Sequence, residues 1–526
     1  MNTFMSKFMT SQNETNETDP YNVFLELRKL FPNAFFLQTH SNFTQPNSST
    51  KPLFSIIGLE AEEILTIRGG QAELIKGSDK TLLTGSALDE LNRRLQFYTN
   101  AKDSKLPYEE GGSFGVIGYD LVREIEPSLK KMGYFSKLQN STAVEAEIVF
   151  VKNLVVFDHK NKQTHLILKS KKGHGSRFKT QIINLLNRYA YVDQNQGSET
   201  LLQNKKDQAH ELFRLRTLLL EDLSMINRIS IVKTLKNKLK LSFGYEAFKN
   251  AVDRIKKHII EGDIFQAVLA EQMEYELNGI TAIEIFTKLR EINSSAYSFY
   301  FPFQKSEFFG ASPETLVKVK NKKIETHPIA GTGPRGKNRA EDLIYESKLL
   351  ASQKEAAEHL MLVDLARNDI GRVAIPGTVE VNEYRQVLRL TNVMHLSSIV
   401  TGQLNSKHQD FDVFKSCFPA GTLSGAPKIR AMEILSQLEL QPRGFYGGAM
   451  VAFDFNGGFD SCIAIRGIEV VKNKAILRAG AGIVADSDSL SEYQEIHHKI
   501  VSLLQAIALC ELKSIKYEKA KVRAYL

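Results

Sequence analysis

Two segments of the chain contain pairs of glutamates spaced three residues apart. Glu355 and Glu358 lie in "KEAAEHL", and Glu492 and Glu495 lie in "SEYQEIHHK". In a helix this spacing puts both carboxylates of a pair on one face. One such pair is typical of a solvated surface. Two pairs that converge would suit Mg²⁺, which prefers carboxylate oxygens and keeps positions for water and an anionic substrate.

Histidines beside these glutamates leave Zn²⁺ as a rival metal. His359 follows the first pair, and His497 and His498 follow the second. Imidazole is a common zinc ligand. The sequence contains no HExxH arrangement, so it favours Mg²⁺ over Zn²⁺.

Glycine-flanked polar residues form a second group with chemical potential. The loop "HPIAGTGPRG", residues 327–336, could present backbone N–H groups and a threonine hydroxyl in one geometry, although by itself it is typical of a surface turn. An arginine fork or a nest of N–H groups binds carboxylates. With a metal nearby, the group predicts a cleft for a substrate with two carboxylates. Its further members are Glu314, His395, Thr422, Lys428, Tyr446, Arg466 and the "AGAG" segment at 479–482.

The elements that would position these residues can be read from periodicity and turn signals. Strands occur in runs and helices occur in runs without strict βα alternation, which favours an α+β fold. The predicted elements are a helix with an apolar stripe from Phe248 to Ile259 ended by Gly262, one long helix over Tyr345–Asp369, two strands within Ser461–Val484 joined at Lys472-Asn473, and a last helix from near Ser491.

Composition excludes several classes of protein. The chain has 526 residues, 42% of them hydrophobic, which is enough for a large core. No apolar run approaches the roughly 18 residues of a membrane helix, and the first 20 residues lack a signal or transit pattern. Its three cysteines, Cys417, Cys462 and Cys510, lie far apart and suggest neither disulfides nor a zinc site. We predict a cytoplasmic protein without a membrane partner.

The charge balance is modest for so long a chain. The chain has 68 Lys and Arg against 60 Asp and Glu, a formal charge of +8, which suits a small anionic substrate. The basic stretch "VKTLKNKLKL", Val232 to Leu241, has no interleaved aromatic residues for base stacking. Nucleic-acid binding therefore stays only as the non-enzymatic alternative, and the prediction is no nucleic-acid partner.

At its motifs the sequence resembles the chorismate-utilising enzymes, and most of all component I of the anthranilate synthases. The segments are "GDIFQAVLAEQ", "FGASPETLV", "HPIAGTGPRG", "EHLMLVDLARND", "VMHLSS", "PAGTLSGAPKIRAMEIL", "RGFYGGAM", "DSCIAIR" and "AGAGIVADSDSLSEYQE". The match is dense from about Tyr245 to Leu504. The resemblance implies β-sheets packed in a sandwich with helices outside, and an N-terminal part interlocked with the C-terminal catalytic part.

The predicted organisation has five segments. They are a flexible tail at 1–19, an N-terminal domain of the family's regulatory type at 20–190, a linker and bridging helix at 191–240, a catalytic domain at 241–510 and a C-terminal tail at 511–526.

The resemblance also implies roles for individual residues. Glu358 and Glu495 would hold Mg²⁺, with Glu355 and Glu492 behind or beside them, and the metal would take the ring carboxylate of chorismate. Glu314 would be the general acid for the 4-hydroxyl, and His395 would act in the later elimination of pyruvate. The enolpyruvyl carboxylate would be bound by Tyr446, Arg466 and the backbone at Gly480, Ala481 and Gly482, and the cleft would be completed by Thr422, Thr332 and Lys499.

At two positions, the residue type differs between members of the resembled family that catalyse different reactions. Many aminodeoxychorismate synthases have a nucleophilic lysine where Ala330 stands, in the loop formed with Gly331 and Thr332, and isochorismate synthases have a lysine base where Gln266 stands. Neither alanine nor an amide supplies a nucleophile or a base. Both residues predict amination of chorismate at C2 by ammonia, then loss of pyruvate to give anthranilate, the first step of tryptophan biosynthesis.

The source of ammonia is expected to be another chain. No cysteine lies in a glycine-flanked nucleophile turn of the kind that a glutaminase needs. The predicted partner is a separate glutamine amidotransferase subunit, component II.

Four departures from the family pattern bear on regulation and product. "FFLQT" and "NSSAYSF" replace "LLES" and "NPSPYMF" of tryptophan-inhibited members, which argues against tryptophan as a feedback ligand. Gln272 stands where arginine is usual, and Gly333 where a larger residue is common. These departures leave open a lysine-independent aminodeoxychorismate synthase, which makes 4-amino-4-deoxychorismate for folate, or an aminodeoxyisochorismate synthase.

Overall fold

The computed structural model describes residues 4–9, 19–40, 52–99, 106–138, 143–169, 176–190, 238–293, 295–389 and 393–511. The bridging helix predicted within 191–237 and the C-terminal tail after residue 511 lie outside the described residues. None of the described helices is both long and apolar enough to span a membrane.

The described residues form 22 strands. They are β1 Phe4–Met9, β2 Phe35–His40, β3 Pro52–Arg68, β4 Gln71–Lys76, β5 Asp79–Leu82, β6 Gly112–Ile117, β7 Val144–Asp158, β8 Gln163–Leu168, β9 Lys240–Leu241, β10 Gln266–Glu276, β11 Tyr297–Pro302, β12 Glu307–Ser312, β13 Lys318–Lys320, β14 Lys323–Thr326, β15 Ile329–Pro334, β16 Glu380–Arg389, β17 Val393–Gln403, β18 Gly425–Ala426, β19 Ala449–Asp454, β20 Phe459–Ile463, β21 Gly467–Val471 and β22 Lys474–Ile483.

Helices connect and flank these strands. They are α1 Pro20–Leu30, α2 Ala87–Tyr98, α3 Val122–Ile125, α4 Ser176–Ala190, α5 Gly244–Ile260, α6 Ala282–Ile292, α7 Arg339–Ala351, α8 Gln353–Gly371, α9 Asp410–Cys417, α10 Gly421–Ser424, α11 Lys428–Leu438, α12 Ser489–Lys499 and α13 at 501–511, with short 3₁₀ turns at Tyr119–Leu121, Pro127–Lys131 and Gly133–Lys137.

The strands pair in two antiparallel sheets that the long strands β3 and β7 join. The first sheet runs β8–β7–β3–β2–β11–β12–β21–β22–β10. The second runs β4–β3–β7–β6–β19–β20–β13–β14–β17, with β15 and β16 also on β17. Register shifts in the β3–β7 ladder mark the bend between the sheets.

An aromatic core lies between the two sheets. Phe35 of β2 and Phe114 of β6 pack with ring centroids 4.7 Å apart, in a buried cluster that draws residues from both sheets. A second cluster joins α1, α5, α6 and α12 to the first sheet, and a third joins α2, α8, α9 and α11 to the second. The α+β sandwich with outer helices is therefore confirmed.

The N-terminal and C-terminal parts share both sheets. Strand β2 pairs with β11, and β6 pairs with β19, so each sheet contains strands from 20–190 and from 241–510. This continuity is the predicted interlocking of the two parts.

Three predicted elements differ in detail. The prediction of a single helix over Tyr345–Asp369 is wrong, because the helix is interrupted at Ser352. The backbone of Ser352 is extended, and its side chain accepts a hydrogen bond from the Glu355 N–H, which begins a new helix. The segment Ser461–Val484 contains the end of β20 as well as β21 and β22, which are joined at Lys472-Asn473. The interruption between β20 and β21, which was not predicted, includes Arg466, whose φ is 52°. The predicted last helix begins at Ser489 and is divided in two, α12 ending at Lys499 and α13 following at 501–511.

Candidate active site

A cleft of about 340 Å³ lies between helices α8 and α12, the loop of β15, and the ends of β10 and β22. Residues more than 200 positions apart in the chain meet there. The predicted site residues that line it are Gln266, Glu314, Ala330, Gly331, Thr332, Glu355, Glu358, His395, Thr422, Tyr446, Arg466, Gly480, Gly482, Glu492, Glu495 and Lys499.

Two residues of the predicted cleft are not among the lining: Lys428, which pairs with Asp369 at 2.8 Å, and Ala481. Neighbouring residues of a strand point to opposite faces. Gly480 and Gly482 face the cleft, whereas the Ala481 side chain is fully buried in the core beneath the helices.

The four glutamates of the two pairs face this cleft from α8 and α12. Burial raises the pKa of the Glu358 carboxyl, and the nearby carboxylates of Glu355 and Glu495 raise it further. Burial likewise raises the pKa of Glu492, with Glu495 adding to the effect. Half-buried carboxylates that repel one another are a donor set that a hard divalent cation stabilises. The residues present therefore fit Mg²⁺.

The histidines beside the glutamates have other contacts. The fully buried His359 ring hydrogen-bonds through Nε2 to Ser398 Oγ at 2.7 Å, and His497 packs edge-on against Tyr493 at 4.7 Å. Among the described residues that line the cleft, His395 is the only histidine. These contacts favour Mg²⁺ over Zn²⁺.

A tighter group of possible ligands lies elsewhere, at His258, Glu261 and Asp263. Its Asp263 carboxylate already binds Arg430 at 2.9 Å and His258 at 2.7 Å. This group is a surface ion-pair network, because a guanidinium already neutralises its central carboxylate.

Glu314 presents a carboxyl group that is about half protonated near pH 7. It follows β12 and is 8% exposed. Burial raises its pKa to about 7, against the opposing effects of the Thr422 hydrogen bond and the Lys499 charge. Thr422 Oγ1 donates to Glu314 Oε1 at 2.9 Å. The arrangement can hold a proton and deliver it to a group in the cleft.

His395 is held by the loop of β15. Its Nδ1 lies 2.8 Å from the Gly331 carbonyl oxygen, so Nδ1 carries the proton and Nε2 keeps a lone pair. Burial lowers the pKa of His395, and the charges of Arg466 and Lys499 lower it further. Gly331 itself has φ of 66°, and a Cβ there would lie 2.9 Å from Glu355 Oε2. The glycine lets the loop approach the glutamates.

Gln266 stands at the start of β10 with its amide held between two neighbours. Its Nε2 donates to Glu358 Oε1 at 3.4 Å. A Cβ at Gly482 would lie 2.4 Å from the same Nε2. The amide can therefore occupy this position only because residue 482 is glycine.

Lys499 and Arg466 link α12 to the strands. Lys499 Nζ donates to Glu495 Oε1 at 2.7 Å and to the Gly480 carbonyl at 2.8 Å. Arg466 donates to the Lys499 carbonyl. The Arg466 charge acts on Tyr446, whose pKa burial raises to about 12, so the phenol stays a hydrogen-bond donor.

Two charged residues that line the cleft were not among the predicted site residues. Lys354 precedes Glu355 on α8, and Arg478 lies two residues before Gly480 on β22. The sequence does indicate the position of Arg478, since strand alternation puts it on the same face as Gly480 and Gly482.

A buried arginine supports the cleft from below. Arg443, 1% exposed, binds Glu439 and donates to the carbonyls of Val268 and Leu423, two residues that line the cleft. Such a fully bonded guanidinium fixes the strand and turn it joins.

A second cavity of about 640 Å³ lies beside the cleft. Thr39 and Ala296, from the two segments that depart from the tryptophan-inhibited pattern, line it, and Pro313 and Ile329 line both cavities. That tryptophan does not inhibit this protein stays a prediction.

Comparisons with known proteins agree with this geometry. The family model described as chorismate binding enzyme matches residues 46–505. "Anthranilate synthase component 1" of Bacillus subtilis (strain 168) is 36% identical over 485 residues, covering 89% of this chain and 87% of the relative. The protein of the same name from Geobacillus stearothermophilus is 35% identical over 513 residues, covering 95% and 94%.

Solved structures share the fold. The crystal structure of anthranilate synthase component I from Streptococcus pneumoniae TIGR4 superposes with a TM-score of 0.66 at 29% identity, covering 89% of this chain and 98% of the other. MenF, the menaquinone-specific isochorismate synthase of Escherichia coli, superposes with a TM-score of 0.62 at 17% identity, covering 96% and 95%. The second likeness is one of fold alone.

Proposed function

The chain belongs to the family of chorismate binding enzymes, and we propose that within it this protein is the large subunit of an anthranilate synthase. The proposed reaction is amination of chorismate at C2 by ammonia followed by elimination of pyruvate, the first step of tryptophan biosynthesis. The observation that supports it most is that one cleft is lined by four glutamates, the buried carboxyl of Glu314, and Ala330 and Gln266 in place of lysines.

The metal site is proposed on the two helices. Glu358 and Glu495 would hold Mg²⁺, with Glu355 and Glu492 beside them. When bound, Mg²⁺ supplies Lewis-acid stabilisation of the negative charge on the ring carboxylate. Lys499 Nζ pairs with the Glu495 carboxylate at 2.7 Å and would help to hold it in place.

Glu314 is proposed as the acid for the 4-hydroxyl that leaves. Because Oε1 accepts the Thr422 hydroxyl, the acidic proton resides on Oε2. Because burial raises its pKa to about 7, a large fraction of the carboxyl carries this proton near neutral pH, and that form gives it to the departing oxygen.

The attack at C2 is proposed to come from free ammonia. Ala330 has no amine that could compete for this carbon, and the Gln266 amide donates to Glu358 rather than accepting a proton from water. Ammonia is itself nucleophilic and needs no base.

His395 is proposed as the base of the second step. Its neutral ring has the Nε2 lone pair available, since Nδ1–H donates to Gly331. It would take the C2 proton as the bond between C3 and the enolpyruvyl oxygen breaks and the ring becomes aromatic.

The ammonia donor is proposed to be a separate glutamine amidotransferase subunit. The relatives that the chain matches over 87 to 95% of its length are named component 1, which implies a second component. In the described part of the chain all three cysteines are buried, and burial raises the pKa of the Cys417 and Cys462 thiols, which disfavours the thiolate a glutaminase needs.

The experiment that tests the proposal compares carboxylate variants in an ammonia-dependent assay. Glu358→Gln and Glu495→Gln should each reduce chorismate consumption by at least about a hundredfold while the protein still folds. Asp364→Asn, which removes an exposed carboxylate of the same helix α8, is the matched control and should retain activity. Full activity in either glutamine variant would refute the metal site.

A further inference from the structure

Strand β22 presents an arginine to the cleft beside its two glycines. Arg478, Gly480 and Gly482 share one side of the strand and line the cleft, whereas the Ala481 side chain belongs to the core on the other side. Arg478 lies directly opposite Gln272 of β10 in the antiparallel register. Its side chain is only 12% exposed.

The Arg478 guanidinium has no carboxylate within hydrogen-bond distance, although Glu469, Asp120, Glu439 and Glu274 act on it electrostatically from farther away. Nη2 donates to the neutral amide oxygen of Gln272 at 2.5 Å, and the Glu469 carboxylate lies 3.9 Å from Nη1, beyond hydrogen-bond distance. Buried cations in proteins are normally paired, because removing a charge from water is costly. Arg443 shows the usual solution, with a carboxylate at 2.5 Å.

The surroundings of Arg478 are those of an anion site. A Cβ at Gly480 would lie 3.1 Å from the Tyr446 hydroxyl and 3.0 Å from the Leu269 carbonyl oxygen, so the glycine lets this backbone approach the phenol closely. Arg466, Tyr446 and Arg478 all line the cleft, and the charges of both arginines act on the Tyr446 phenol. Two arginines and a phenol around a glycine-containing backbone segment are suited to bind one carboxylate.

We propose that Arg478 is a further binding residue of the cleft, serving the carboxylate at the end of the substrate that is remote from the glutamates, with Gln272 holding the guanidinium in place across the ladder. The inference rests on the proposed function, which supplies a substrate with two carboxylates. It also accounts physically for Gln272, since an arginine at both facing positions would put two cations side by side.

The test compares a dicarboxylate with a monocarboxylate ligand. 3-(Carboxymethoxy)benzoate and 3-ethoxybenzoate share an aromatic carboxylate, and only the first carries a second carboxylate. In Arg478→Gln the inhibition constant of the dicarboxylate should rise about tenfold or more, the cost of a charge-assisted pair, with that of the monocarboxylate unchanged. The KM for chorismate should rise similarly, with kcat altered less.

Two controls separate binding from folding. Arg254→Gln removes an exposed arginine of helix α5 and should leave both constants unchanged. The exchange variant Gln272→Arg/Arg478→Gln keeps one arginine and one glutamine in the pair, and should retain the preference for the dicarboxylate within about threefold.

Three results would overturn the proposal. An unchanged dicarboxylate constant in Arg478→Gln is the first, and equal weakening of both ligands is the second, because a purely structural role affects both. An exchange variant that loses the preference is the third, and it applies even if Arg478→Gln does not fold. Failure of the proposed function is distinguishable, since the wild-type chain would then form no anthranilate from chorismate and ammonia.

Discussion

The proton on Glu314 sets the pH dependence that we expect of the reaction. Burial raises the pKa of this carboxyl to about 7, and only the protonated form can serve as the acid. At constant free ammonia, kcat/KM for chorismate should therefore fall about tenfold per pH unit above that value. Initial rates across the range, with total ammonium adjusted at each pH, measure this. A flat profile above about pH 7 would exclude the acid role.

The same proton affects stability. The Glu314 pKa is about 7 in the folded chain against 4.5 for an ordinary glutamate. Between these values the native state binds more protons than the unfolded state, so the stabilisation present below pH 4.5 is lost as pH rises through 7, by about 3 kcal/mol. Glu314→Gln stays neutral and avoids this loss. Its Tm relative to wild type should rise between about pH 5 and 8 in metal-free buffer; a constant difference would contradict the raised pKa.

Residue types could be predicted from the sequence better than residue contacts. The glutamate pairs and the glycine-flanked polar residues were identifiable from spacing and resemblance. The bond between Thr422 and Glu314 was not, because it joins residues 108 positions apart through the packing of a turn against a strand end. Strand alternation puts Arg478 on the face of Gly480 and Gly482, but its position opposite Gln272 depends on the register of β10 and β22, which the sequence alone does not give.

At the scale of elements, the interruption between α7 and α8 orients Glu355 and Glu358 towards the cleft. The Ser352 side chain accepts a hydrogen bond from the Glu355 N–H at 3.3 Å and so caps the first turn of α8. Glu358 lies one turn after Glu355. Ser352→Ala should cost about 1 kcal/mol of stability and raise the Mg²⁺ concentration needed for half-maximal activity a few fold. Magnesium titrations of both proteins measure this.

The matched control for the cap is a serine within helix α7. Ser347 Oγ donates only to the carbonyl one turn earlier, at 2.9 Å. Ser347→Ala should leave the magnesium requirement unchanged. Equal magnesium requirements in Ser352→Ala and wild type would show that the cap does not position Glu355.

Periodicity predicted the helices but not this break. Good helix formers lie on both sides of Ser352, so the pattern continued through it, and only the backbone geometry reveals a cap. The strand break at Arg466 was hidden for the same reason. Apolar residues on both sides suggested one strand, whereas the left-handed backbone at Arg466 turns its side chain into the cleft.

At the scale of the whole molecule, the two sheets tie the N-terminal part to the catalytic part. Strands β11 and β19 would lose their partners β2 and β6 if residues 1–190 were removed. The fragment 238–526 expressed alone should therefore aggregate, because it exposes unpaired strands in two sheets. Co-expression with residues 1–190 should restore soluble protein, which size-exclusion chromatography measures. A monodisperse, folded fragment would contradict the interlocked architecture.

The most direct test of the account is the identity of the product. The purified full-length chain is mixed with chorismate, Mg²⁺ and an ammonium salt at mildly alkaline pH, and the products are identified by fluorescence and mass. The account predicts anthranilate and pyruvate in equal amounts, and neither when Mg²⁺ is chelated. Formation of 4-amino-4-deoxychorismate without anthranilate would contradict the assignment of Ala330 and Gln266 to amination at C2.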